Sequence, residues 1–285
     1  MTGFNAIQAV LLIPLGAVFV LALLPGYRLT AALNVLASLA TRLAALSLFV
    51  ARPAEGQLLF VDDLNVVFIA LNTLVGFTTS VFSASYIAHE LETGRLTPTY
   101  LRFYHAMYQA MMFGMNLALL ANNIGLLWVA VELATLTTVL MVGIYRTHEA
   151  LEAAWKYFIL GSVGIALALF GTILVYVAAQ PEIGEGLDAM TWTILIQRAI
   201  AFDPALLNVA FVFLLLGYGT KVGLAPVHAW LPDAHAEGPT PISAVLSGLL
   251  LNVALYAVLR FKMLMSANGA AIAPGPLMVT MGLTS

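Results

Sequence analysis

Apolar stretches of about twenty residues recur along this chain, which is the length a helix needs to cross a bilayer core. Short polar or proline-bearing connections separate them. A backbone exposed to lipid must satisfy its own hydrogen bonds, so such runs confine the chain to helices. Composition argues the same way. The residues are 62% hydrophobic and 9% charged, whereas a soluble domain carries roughly 25% charged residues. The expected fold class is therefore all-α: a polytopic membrane helix bundle.

The expected spans run from about Phe4 to Leu24, Thr30 to Ala51, Leu64 to Ile87, Phe103 to Ala121, Asn122 to Tyr145 and Trp155 to Ala178. A seventh starts near Ala205, and an eighth covers Ile242 to Leu259. The first lacks a basic flank and a small-residue cleavage site, so it reads as a retained helix. Residues 55–63 alternate enough to suggest an extended segment, and a short surface helix is expected around Trp192. Pro274 to Ser285 reads as the start of a ninth span, so the chain is expected to be truncated there. This divides the chain into residues 1–102 (three helices), 103–260 (helices four to eight) and 261–285. Basic residues fall on both sides of these spans: Arg28, Arg95, Arg102, Arg146 and Lys156 against Arg52, Arg198, Arg260 and Lys262. The slight bias places the N-terminus outside.

Several chemistries are excluded. A net charge of −3 gives no footing for nucleic acid. With no cysteine there is no disulfide, cysteine-ligated cluster or cysteine–zinc site. Phosphate-binding loops, dinucleotide fingerprints and zinc-hydrolase motifs are missing from the sequence. No metal and no cofactor is expected in this chain.

The residues that carry chemistry are charges at membrane depth. Glu132 lies about ten residues into the fifth span, ~15 Å deep. An ionised carboxylate there costs several kcal/mol unless it meets a partner or water. It is either a proton carrier or a structural link to a neighbouring helix. Lys221 lies in the seventh span among Gly217, Gly219 and Gly223, with Pro226 following. Glycines permit an irregular backbone whose freed carbonyls can line a hydrated cavity; the other reading is a lysine that snorkels. His228 follows Lys221 by seven residues, which in an unbroken helix shares its face, and His235 comes seven later. Each is a suitable proton carrier or a hydrogen-bonded structural residue. Asp233 and Glu237 are expected at the water boundary. Lys156 and Arg42 read most simply as snorkelling side chains, and Met107, Met111, Met112 and Met115 as packing.

Two stretches carry a resemblance, TKVGLAPVHAWLPDAHAEGPTPISAVLSGLLLN and NNIGLLWVAVELATLTTVLMVGIYRTHEALEAAWKYFILG. They resemble the antiporter-like, proton-translocating subunits of respiratory complex I, Mrp-type antiporters and membrane-bound hydrogenases. With SASYIAHELETG and LRFYHAMYQ, the wording looks closest to the hydrogenase-4 F-subunit branch. The resemblance implies an inverted-repeat unit with a discontinuous helix, residues 103–260 forming the first proton-channel repeat. It implies that Glu132 is the buried glutamate of the fifth helix and Lys221 the lysine of the broken seventh. Lys156 matches a sixth-helix lysine set near the glutamate, and His228 and His235 match histidines after the break. Where many relatives have a titratable residue in the eighth helix, this chain has Asn252, which hydrogen-bonds but does not titrate.

The implied function is proton movement through Glu132 and Lys221 in the cell (inner) membrane. Electron transfer in partner subunits, namely other membrane subunits and a peripheral redox arm of hydrogenase or quinone-reductase type, drives it. The chain itself has no redox site. The alternatives are an Mrp-type Na⁺/H⁺ antiporter subunit and a structural membrane anchor.

Overall fold

A computed structural model describes residues 5–285. The expected start at Phe4 lies outside the described residues. The order is α1 (Ala6–Leu23), α2 (Tyr27–Ser47), α3 (Asp63–Glu92), α4 (Pro98–Leu120), α5 (Ile124–Val142), α6 (His148–Ile183), α7 (Trp192–Arg198) and α8 (Pro204–Val222). Then come α9 (Leu231–Glu237), α10 (Thr240–Val245), α11 (Leu251–Asn268) and α12 (Pro274–Thr284). Five residues of π-helix, Leu246–Leu250, join α10 to α11 into one continuous span. Thus α4 begins before residue 103 and α11 continues past residue 260.

The helix starts are legible chemically. Asn5, Asp62, Thr97, Asn123, Thr147 and Asp203 each accept a backbone N–H in the first turn of the helix they precede, satisfying part of that turn's free donors. The segment before α3 is extended as expected. Leu59 bridges Ala121 in antiparallel fashion, and the Phe60 N–H donates to the Leu120 carbonyl at 3.0 Å.

Among the described residues, seven helical segments are long and apolar enough to cross a membrane: α1, α2, α3, α5, α6, α8 and the joined α10–α11. The expected fourth span, α4, is long enough but is not among them. Its His105, Gln109 and Asn116 are buried, because α1, α2, α3 and α5 enclose it. A helix shielded from lipid tolerates polar groups that bond across to neighbours. Gln109 donates to Asn34 Oδ1 at 2.8 Å and Ser38 Oγ at 2.9 Å, and Asn72 donates to Asn116 Oδ1 at 2.8 Å. Arg42 departs from expectation for a related reason. Rather than snorkelling, it donates to the Ala70 carbonyl and to Thr73 Oγ1, tying α2 to α3. The helix at Trp192 is present, yet Trp192 is buried rather than superficial.

Packing is tightest between α6 and α8, where small residues let two backbones touch. A Cβ on Gly217 would stand 2.5 Å from the Ala168 nitrogen and 2.6 Å from the Gly164 carbonyl oxygen. Alanine favours an exposed helix by about 1 kcal/mol over glycine, but here it meets backbone that cannot rotate away. Gly217→Ala is therefore expected to destabilise the bundle by about 1–3 kcal/mol. Thermal unfolding of the detergent-solubilised protein checks this.

Arg260 was counted above as a boundary cation. It is 3% exposed and pairs bidentately with Asp62 at 2.7 Å on both oxygens. Its Nε donates to the Tyr256 hydroxyl at 2.9 Å, and the guanidinium lies over the rings of Phe60, Tyr256 and Trp192. Its charge is neutralised in place and carries no weight in a positive-inside count.

Candidate functional site

The site forms where α5, α6 and α8 meet. α8 stops at Gly223, whose φ of +80° is left-handed and natural for glycine. The break leaves polar backbone inside the bundle, and the chain satisfies part of it locally. The Leu224 N–H donates to the Gly219 carbonyl at 2.9 Å. The Thr220 carbonyl accepts from the Gly223 N–H at 3.3 Å and from the Trp230 indole at 2.8 Å. Trp230 in turn stacks on Tyr157 of α6 at 4.3 Å, and the Tyr157 hydroxyl bonds Thr138 of α5 at 2.8 Å. A continuous Thr138–Tyr157–Trp230 column therefore fixes the broken end.

Lys221 is in the last turn before that break, wholly buried. Its Nζ lies 3.4 Å from Glu132 Oε2. Glu132 is about 12 Å from the start of α5 at Ile124, and its side chain is 20% exposed. Gly161 of α6 clears the space: a Cβ there would sit 3.0 Å from the ammonium. Charge-assisted N–H···O contacts typically measure about 2.7–2.9 Å. At 3.4 Å the pair is electrostatically coupled but not clamped, and the carboxylate keeps some access beyond the lysine.

The other expected residues are distributed around this pair. Lys156 does not meet Glu132. Its Nζ lies 2.8 Å from Asp233 Oδ2 and 2.8 Å from Glu152 Oε1, and it is half-exposed. It thereby ties α6 to α9. His228 is exposed in the turn after the break. Because α8 ends at Gly223, the seven-residue spacing does not place His228 on the helix face of Lys221. His235 on α9 lies 3.2 Å from Ser247 Oγ in the π segment, and Ser243 Oγ donates to its carbonyl at 2.9 Å. Partial burial lowers the His235 imidazole below its ordinary pKa. Asn252 donates to the Gly248 carbonyl at 2.7 Å and lines a narrow crevice with Phe68, Asn72 and Leu119. That crevice lies against α3 and α4.

Sequence reasoning missed Gly161, Tyr157 and Trp230. A signal existed for the first: Gly161, Gly164, Ala168 and Gly171 form a small-residue stripe at helical spacing. Nothing local marks Trp230 as a cap, because its partner carbonyl exists only once α8 has broken.

Comparison with known proteins bears on this arrangement. The chain is 61% identical over 277 residues to the hydrogenase-4 component F homolog of Methylacidiphilum infernorum (isolate V4), covering 97% of this chain and 58% of that protein. It is 34% identical over 161 residues to the NADH-quinone oxidoreductase subunit N of Paenibacillus sp. (strain JDR-2), covering 56% and 30%. The chain thus spans little more than half the length of the first relative, and less of the second.

Its fold is similar to a chain of the archaeal membrane-bound sulfane sulfur reductase, with a TM-score of 0.81, 21% identity and coverage of 98% and 56%. It is also similar to a chain of respiratory complex I from Thermus thermophilus, with a TM-score of 0.70, 23% identity and coverage of 89% and 52%. These likenesses speak to the fold of a multi-pass membrane helix bundle. Residues 121–284 match the family described as NADH:quinone oxidoreductase/Mrp antiporter, TM. That stretch holds both Glu132 and Lys221, and the chain belongs to this family.

Proposed function

We propose that this chain is part of a proton-translocating membrane subunit of a hydrogenase-4-like or complex I-like assembly in the cell (inner) membrane. The observation that carries the reading is the pairing of buried Lys221 with partly exposed Glu132 beside a helix break. The names of the similar proteins support the type of assembly. The working unit is residues 103–260. Other membrane subunits and a peripheral redox arm supply the driving electron transfer.

The pair moves one proton as follows. In the resting pair, an ammonium and a carboxylate cancel. A proton arriving at the Glu132 carboxylate leaves the ammonium without a counter-charge in an apolar site, where an isolated charge is costly. Lys221 then releases a proton, leaving a neutral acid beside a neutral amine. Internal transfer from Glu132 to Lys221 across the 3.4 Å gap restores the ion pair. One proton has entered and one has left.

His228 and His235 carry protons between water and the pair. Lys156 holds α9 through Asp233 and keeps a positive charge at the exposed mouth. Asn252 orients water without binding the proton.

The test uses the assembled complex in sealed vesicles with a pH-sensitive dye. Glu132→Gln is expected to lower coupled acidification by at least about tenfold. Wild-type acidification by that variant overturns the proposal.

A further inference from the structure

A second concavity lies on the outside of the bundle, unconnected with the charged pair. It sits where the N-terminal turn of α4, the C-terminal end of α5 and the first turns of α6 meet. Its volume is about 480 Å³, within the roughly 300–1,000 Å³ typical of sites for small organic ligands. Its walls are Phe103, Val139, Leu140, Leu151, Trp155 and Phe158. Leu140 and Trp155 are more than half exposed, so the mouth opens on the outer surface of the described bundle, beside the spans α5 and α6.

One charge lines the pocket. Arg146 closes the short helical turn Gly143–Tyr145 and adopts φ 59°, ψ 16°. A left-handed conformation is unusual for a residue other than glycine or asparagine. It sets the guanidinium over the Tyr100 ring, 5.6 Å from its centroid, at the polar end of the cavity. Among the described residues no carboxylate pairs with it. The connection between α5 and α6 lies at the end of two spans, at the level where phospholipid headgroups sit.

An apolar slot of this size open to the bilayer, with one unpaired planar cation at headgroup level, is complementary to one molecule class. We propose that the pocket binds a membrane phospholipid, with an acyl chain in the cavity and its phosphate on Arg146. Guanidinium suits this role because it meets phosphate oxygens with two parallel N–H donors. The stacked Tyr100 ring limits its freedom beforehand, so less order is lost on binding.

The test is photolabelling of the full-length protein in its membrane complex, reconstituted with phosphatidylglycerol bearing a diazirine in the acyl chain. Expected are cross-links on Leu140 and Trp155, competed by unlabelled phosphatidylglycerol. Arg146→Asn keeps a residue that tolerates the left-handed backbone and removes the charge. It is expected to lower that labelling about tenfold, the loss for one charge-assisted contact. Leu140→Trp fills the slot and is expected to abolish it. Val177→Trp, at the opposite end of α6, is expected to leave it unchanged.

Equal labelling in all three variants overturns the site, as does labelling spread evenly over every lipid-facing helix. A quinone, rather than a phospholipid, retained at the pocket in native mass spectrometry overturns the assignment of the ligand.

Discussion

Lys221→Met is expected to leave the helix bundle assembled while lowering coupled proton movement by about a hundredfold or more, the loss of one positioned proton-transfer group. Methionine has nearly the length and flexibility of lysine and fills the same slot between α5, α6 and α8. Glu132, left without its cation, is partly exposed, so no fully buried charge is stranded. Packing therefore survives and only the titrating group is lost. A purely structural role for the pair predicts the reverse: damaged assembly, with proton movement in step with whatever complex forms. Measuring assembled complex and acidification on the same vesicles separates the two.

Asp62→Ala is expected to be the most destabilising single change away from the site, by about 3–5 kcal/mol, because it strands a buried arginine. Arg260 is 3% exposed, and among the described residues its carboxylate partner is Asp62. The same carboxylate also caps α3, so one substitution removes two functions. Adding Arg260→Met is expected to recover much of the loss, since removing both charges leaves no unpaired group.

The pair also sets a pH dependence. Burial pushes the Asp62 carboxyl up, but hydrogen bonds from Arg260 and the α3 backbone outweigh it and hold the group below its ordinary value of 3.8. A carboxyl depressed in the folded state contributes stability above its unfolded pKa and loses it as pH falls through the folded one. Thermal midpoints of the wild type are thus expected to fall below about pH 4 more steeply than those of the Asp62→Ala, Arg260→Met protein.

The spans and the break at Gly223 were legible because both are written locally. Apolar runs set the helices, and the glycine cluster followed by Pro226 marks an interruption. What escaped depended on partners. α4 reads as an ordinary span until its neighbours enclose it, and Arg42 reads as snorkelling until α3 offers Ala70 and Thr73. Lys156 was expected near Glu132, yet the return of α9 brings Asp233 to it first. The seven-residue spacing of Lys221 and His228 assumed one helix, and the break that makes the site interesting cancels that assumption. The Glu132–Lys221 contact joins residues far apart in sequence. No periodicity predicts it; the resemblance and the cost of each charge alone suggested it.

The most direct measurement is the ratio of protons moved to electrons transferred by the assembled complex in sealed vesicles, taken for Glu132→Gln, Lys221→Met and the two combined. If the two residues exchange one proton as a unit, their effects do not add. The double variant is expected to be no worse than the more impaired single one. A double variant that keeps the wild-type ratio contradicts the account, as do two independent losses that simply multiply.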